Sequence, residues 1–215
     1  MKVSLLVSVW KRQKNLPEFF ERWLKEPEVD EVLVWDNSNG ELEIPKHDKI
    51  RVFRSPLNYG CTARNILVHF ARNDTVIVSC DDVFIEKGFI ADLFKYYEED
   101  MMLGIWGRIF NSDYLNSSTF TSIGIDEPKY VDFVVGLIYM MERKYLLPLD
   151  YRDMEWTCDD LCINGELKVK FPQVRRLIVP NNKWKLTEDE VDEFALYRHP
   201  DALIEKTATM ERYFK

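Results

Sequence analysis

The run Val76 to Ser79 is apolar and β-branched, and it ends almost at once on two adjacent carboxylates, Asp81 and Asp82. Such a run reads as a strand buried on both faces, the kind a parallel sheet covered by helices needs. Open α/β sheets bind ligands at the carboxyl ends of their strands. Two acids at that point serve packing poorly and suit a divalent cation. Hard cations such as Mg2+ are held by one or two carboxylates, with phosphate oxygens filling further positions. Asp is equally at home in turns and caps, so this segment alone supports both a metal–diphosphate site and a plain turn.

The surrounding pattern favours the sheet. Lys2 to Val9, Val32 to Trp35 and Ile50 to Phe53 read as strands, and Leu16 to Lys25, Thr62 to Arg72 and Gly88 to Glu98 as helices. Asn15 is a candidate N-cap with Pro17 in the first turn behind it. This βαβ rhythm predicts one α/β domain with a mainly parallel sheet flanked by helices. The second half is less regular. Leu103 to Phe110 and Val131 to Met141 read as strands, Asn111 to Ser122 as a polar loop or hairpin, and Cys158 to Leu167 as a short helix. Lys168 to Val179 reads as strands broken by Pro172. The tail from Asp192 is amphipathic and turns basic near its end.

At 215 residues and 46% hydrophobic, the chain fits a single core. A net charge of -8 argues against nonspecific binding to nucleic acid or anionic membrane. No apolar run approaches a membrane span. The start, MKVSLLVSVWKRQ, reads as a strand rather than a leader, because its apolar run is short, alternates with Ser and lacks a small-residue cleavage site. Cys61, Cys80, Cys158 and Cys162 form no CxxC pair and the histidines are scattered, which disfavours zinc. Reduced thiols in a cytoplasmic protein are the expectation.

Four further stretches carry chemistry. In LNYGCTARN, Asn58 and Gly60 form a tight turn, and Arg64 and Asn65 open the next helix; the Arg fork suits phosphate or a nucleotide edge. In WDNSNG, Asp36 is placed to accept from a ribose or base, although an Asx-turn explains it as well. In VWKRQ, Val9 ends the first strand, Trp10 can stack on a base and Arg12 can approach it. In EWTCDDLCIN, Thr157 can cap a helix whose first turn holds Asp159 and Asp160, either as favourable charges at the helix start or as the source of a catalytic carboxylate.

Together these stretches resemble a GT-A-fold glycosyltransferase. WTCDDLCIN is also similar to the Cys-acid-Asp helix of exostosin-type transferases, with Cys158, Asp159, Asp160, Leu161 and Asn164 in the matching positions. The compact layout further resembles glycosyltransferase domains of large algal DNA viruses, which would imply a host cytoplasm. The resemblance implies a nucleotide-binding half over about residues 1–100 and an acceptor and catalytic half over about 101–215. It implies transfer from a UDP-sugar donor to a glycan or glycoprotein acceptor, with Mn2+ or Mg2+ on Asp82 and Asp81. Asp160 would be the catalytic carboxylate, with Asp159 beside it as a cap or acceptor contact. Val9, Trp10, Arg12, Asp36, Asn58, Arg64, Asn65 and Asp81 would meet the nucleotide. Arg198, His199 and Lys206 would neutralise the diphosphate in a basic tail ordered over it. Strict DxD is absent, since Cys80 holds its first position. The exostosin-like helix leans the expectation toward retention, with inversion as the alternative. A sugar-nucleotide nucleotidyltransferase would be expected to carry a Gly-rich loop after strand one, and VSVWKRQKN has no Gly; a non-catalytic nucleotide-sugar-binding module is the other rival.

Overall fold

Strand β1 (Val3–Val9) is apolar at nearly every position and is buried on both faces. Val3, Leu5, Val7 and Val9 point to one side, where they meet Leu16, Phe19, Phe20 and Trp23 of helix α1 (Leu16–Leu24). That spacing puts the four on one stripe of the helix. Leu6 points to the other side, toward Leu67, Val68, Ile163 and Leu167. The structure, a computed structural model, describes residues 1–111, 114–152, 154, 158–187 and 201–215.

The chain continues through β2 (Val29–Asp36), β3 (Ile50–Arg54), α2 (Thr62–Ile66), β4 (Thr75–Ser79), β5 (Val83–Ile85), α3 (Phe89–Phe94), β6 (Met101–Gly104), β7 (Trp106–Ile109) and β8 (Ser118–Thr121). It then adds β9 (Lys129–Tyr130), β10 (Phe133–Val134), β11 (Ile138–Glu142), α4 (Arg143–Leu146), α5 (Asp159–Lys170), β12 (Arg175–Ile178), β13 (Trp184–Leu186) and α6 (Ala202–Phe214). The main sheet has the order β3-β2-β1-β4-β11-β6-β12-β9, and β11 and β9 run against the other strands. In the smaller sheets β7 lies between β10 and β8, and β13 pairs with β5. Apolar clusters cover both faces of the main sheet, with α1 and α3 on one and α2 and α5 on the other. This is the expected single α/β domain with a mostly parallel central sheet.

Several details differ from the sequence pattern. Asn15 stands at the N-cap position of α1, with Pro17 in the first turn, but it closes a 3-10 turn, Gln13–Asn15, and makes no side-chain cap bond. The helix expected to reach Arg72 ends at Ile66 and tightens into a 3-10 turn, Leu67–Phe70. Leu103 to Phe110 is not one strand, because the chain leaves the main sheet at Ile105 and enters the small one. Val131 to Met141 likewise divides, on either side of Gly136. Helix α5 runs past Leu167 to Lys170, into the stretch read as strand. Thr157, the expected cap of α5, lies outside the described residues.

Candidate active site

The carboxyl ends of β1, β2 and β4 open into one cleft of about 720 Å3, a volume in the ordinary range for small-molecule sites. At the end of β1, Lys11 takes a left-handed φ of 59. The Arg12 amide then donates to the Trp10 carbonyl at 2.8 Å. This reversal brings Trp10 and Arg12 to the cleft wall. Arg12 Nη1 donates to Asp81 Oδ1 at 2.6 Å, and Nη2 lies 3.5 Å from Asp82 Oδ2. Burial pushes the Asp81 carboxyl up to about 6, against the opposing charge of Arg12.

The NYG turn is held from β2. Asn37 Nδ2 donates to the Gly60 carbonyl at 3.0 Å, and Asn37 Oδ1 accepts from the Tyr59 amide at 3.0 Å. Asn58 Oδ1 accepts from the Gly60 amide at 2.8 Å, with Gly60 at a φ of 62 that a glycine adopts without strain. Asn37, Asn58 and Gly60 all line the cleft.

The cleft floor joins the two halves of the chain. Arg64 Nη1 donates to Cys80 Sγ at 2.8 Å, and Nη2 lies 3.4 Å from Asp159 Oδ2. Asn65 Nδ2 donates to the same Asp159 oxygen at 2.8 Å, and the Tyr139 hydroxyl donates to Asn65 Oδ1. Next to them the Gly136 amide donates to Asp160 Oδ2 at 2.8 Å. A Cβ at Gly136 would stand 2.6 Å from Arg64 Nη2 and 2.9 Å from the Asp160 Cβ, so only glycine lets the backbone approach both. Burial raises the proton affinity of Asp160, and the negative charge of Asp159 adds to the rise. Helix α6 packs on α5 through Tyr213, whose ring fills the space over Gly165. That docking carries Ala202, Leu203 and Lys206 to the cleft. Lys206 Nζ sits 5.4 Å from the centre of the Tyr114 ring.

Trp10, Arg12, Asn58, Arg64, Asp81, Asp82, Asp159, Asp160 and Lys206, dispersed in sequence, therefore share one wall-to-wall cleft. Val9, Asp36 and Asn65 do not line it. The Val9 side chain is core, and its carbonyl accepts from the Asn37 amide at 3.0 Å. Asp36 is buried, and its Oδ1 accepts from the Ser38 amide at 2.8 Å in an Asx-turn at the end of β2. Asn65 stands behind Arg64 as a support for Asp159. Asp159 lines the cleft with one carboxylate oxygen held by Arg64 and Asn65. Asn164, matched above to an exostosin motif, anchors α5 to β10 by bonding both backbone polar groups of Val134. Arg198 and His199 lie outside the described residues.

Sequence reasoning missed Gly136, Asn37, Trp106, Arg108 and Tyr114, all of which line the cleft. A signal existed for Gly136, because a lone Gly inside an apolar run marks a close backbone approach. No local pattern marks Arg108 or Tyr114, which reach the cleft only through the β7–β8 hairpin.

For a divalent cation, Asp81 and Asp82 supply hard oxygen donors on the cleft wall, the pair that a Mg2+- or Mn2+-type site needs when diphosphate oxygens complete it. Among the described residues no group of three or more His, Cys, Asp or Glu is placed to hold a metal by itself. No described helix is long and apolar enough to cross a membrane.

Among curated proteins none matches the chain. Among solved structures it is similar to the crystal structure of S. aureus TarS 1-349 in complex with UDP-GlcNAc, with a TM-score of 0.65 and 16% identity. That match covers 93% of this chain and 61% of the TarS chain, and it shows the fold. The exostosin and viral likenesses gain no support from these matches. The family model of glycosyl transferase family 2 matches residues 4–154, well over half of the sequence. The chain belongs to glycosyl transferase family 2.

Proposed function

We propose that the chain transfers a sugar from a UDP-sugar to a hydroxyl of a glycan or glycoprotein, assisted by a divalent cation and with inversion at the anomeric carbon. The observation that carries this reading is the sharing of one cleft by the strand-end acids Asp81 and Asp82 and by Asp160 at the start of α5. TarS was solved with UDP-GlcNAc, which favours a UDP-linked donor here. Asp82, with Asp81, would hold Mn2+ or Mg2+. When bound, that cation offsets charge on the leaving diphosphate.

The chain's own residues do the remaining work. Trp10 offers a face for the base, and Asn58 shapes the turn beneath the nucleotide. Arg64 and Lys206 place positive charge where the diphosphate leaves. Asp160 takes the proton of the acceptor hydroxyl while its oxygen bonds to the anomeric carbon and the carbon–diphosphate bond breaks on the opposite face. Burial suits Asp160 to this task by raising its affinity for that proton. Retention, the outcome the exostosin likeness implied, is the alternative reading of the same cleft.

The test is calorimetric titration with UDP, with and without Mn2+, followed by transfer assays. Asp82→Asn should abolish the Mn2+-dependent part of UDP affinity. Asp160→Asn should leave UDP binding intact and lower transfer by about 10²-fold or more, the scale of losing a positioned acid–base group. The anomeric proton coupling of the product reads the stereochemistry, and a retained configuration overturns the displacement step.

A further inference from the structure

Arg12 occupies a position with a chemical rival. Its guanidinium bridges both members of the acidic pair, 2.6 Å from Asp81 Oδ1 and 3.5 Å from Asp82 Oδ2. The bridge is well shielded, with side-chain exposures of 17% for Arg12, 4% for Asp81 and 21% for Asp82. It is also built by the backbone. Lys11 holds a left-handed φ of 59, a region that costs a non-glycine residue free energy, and the Arg12 amide folds back onto the Trp10 carbonyl. That turn aims Arg12 from the end of β1 across to the end of β4.

The oxygens the guanidinium holds are those a divalent cation would need. Two cations on the same carboxylates repel each other strongly in a partly buried site. Resting on the reading of this cleft as a UDP-sugar site, we propose that Arg12 is a resident counter-ion that competes with the divalent cation for Asp81 and Asp82. It passes to the diphosphate when nucleotide arrives, so that cation and nucleotide load together. The exchange leaves neither carboxylate without a positive partner at either stage. Without ligand, the guanidinium partly neutralises the two carboxylates. With ligand, the divalent cation takes the carboxylates and the guanidinium takes phosphate oxygens, which its planar fork fits as well as it fits a carboxylate. Thermodynamic linkage makes the effect reciprocal, so UDP tightens the cation as much as the cation tightens UDP.

The experiment is Mn2+ binding to the full chain, read by electron paramagnetic resonance, with and without UDP. In the unmodified protein, UDP should tighten Mn2+ by about 5- to 150-fold, the usual span of coupling between sites. Arg12→Met should bind Mn2+ about fivefold or more tighter than the unmodified protein when UDP is absent, and the gain from adding UDP should shrink. Arg12→Lys should fall between them, because a point charge holds two carboxylates less well than a fork; it carries the comparison if Arg12→Met does not fold. Unchanged or weaker Mn2+ binding by the folded variants in the absence of UDP overturns the proposal, as does a failure of the unmodified protein and the folded variants alike to bind Mn2+ with UDP present. Tighter Mn2+ binding by the variants without any UDP binding would uphold the competition and count instead against the UDP reading.

Discussion

The strand ends of the first half and the helix start of the second supply the same cleft by different means. From β1 to β4 most chemical groups follow a strand directly: Trp10 and Arg12 after β1, Asn37 after β2, Asp81 and Asp82 after β4. In the second half no such rule holds. Gly136 reaches the cleft in the break between β10 and β11, Asp160 at the start of α5, and Lys206 on a terminal helix seated by Tyr213 over Gly165. Parallel strands deliver chemistry by local order, whereas the second half delivers it by packing. Sites of the first kind should tolerate distant change, and sites of the second kind should not.

The largest effect expected from this contrast is at Gly136. Gly136→Ala puts a methyl against both Arg64 and Asp160. Transfer should fall by about 10²-fold, the scale of roughly 1 Å of misplacement at a reacting group. Kinetics with the folded variant check this, and near-normal transfer would mean that the junction is looser than the contacts imply. Arg64→Lys is next. It loses the fork that holds Cys80 and Asp159 together, and transfer should fall by about tenfold, the equivalent of one charged hydrogen bond. If the loss is confined to UDP affinity, with turnover at saturating donor unchanged, Arg64 serves the nucleotide alone and does not couple the halves.

The smallest effect is one of pH. The folded-state value of Asp81, about 6, lies above its ordinary 3.8. Between those values the folded protein binds the proton that the unfolded chain releases, so this group's contribution to stability is lost as pH rises through the window. The thermal midpoint of the unliganded protein, compared with that of Asp81→Asn, should drop relative to the variant from about pH 4 to about pH 6. Parallel curves would place the burial cost elsewhere.

This contrast also explains what the sequence revealed. The βαβ rhythm predicted the sheet because β-branched runs and one-sided helices such as α1 carry their burial in their own spacing. The acidic pair was legible for the same reason, standing where an apolar run stops. Asp36 is ambiguous in sequence because a strand-end acid and an Asx-turn look identical until the Ser38 bonds are seen. Asp159 and Asp160 were legible as a pair, but only tertiary contacts separate their roles: one is fixed on Arg64 and Asn65, the other on the Gly136 amide. Tyr114 and Arg108 left no trace in spacing because a hairpin, rather than a period, brings them in.

The place of β11 in the sheet has a consequence for how the chain comes together. Strand β4 has β1 along one edge and β11 along the other, with Ser79 opposite Ile138. During synthesis the first four main-sheet strands emerge well before β11. Until it arrives, the β-branched edge of β4 stands open, the kind of template that recruits foreign strands. Closing it requires a contact between residues far apart in the chain, which slows the final step and lengthens exposure to aggregation. A polypeptide stopped near residue 100 would keep that edge for good. The first half of the chain is thus dependent on its successor for solubility as well as for completing the cleft, and the two should mature as one cooperative unit.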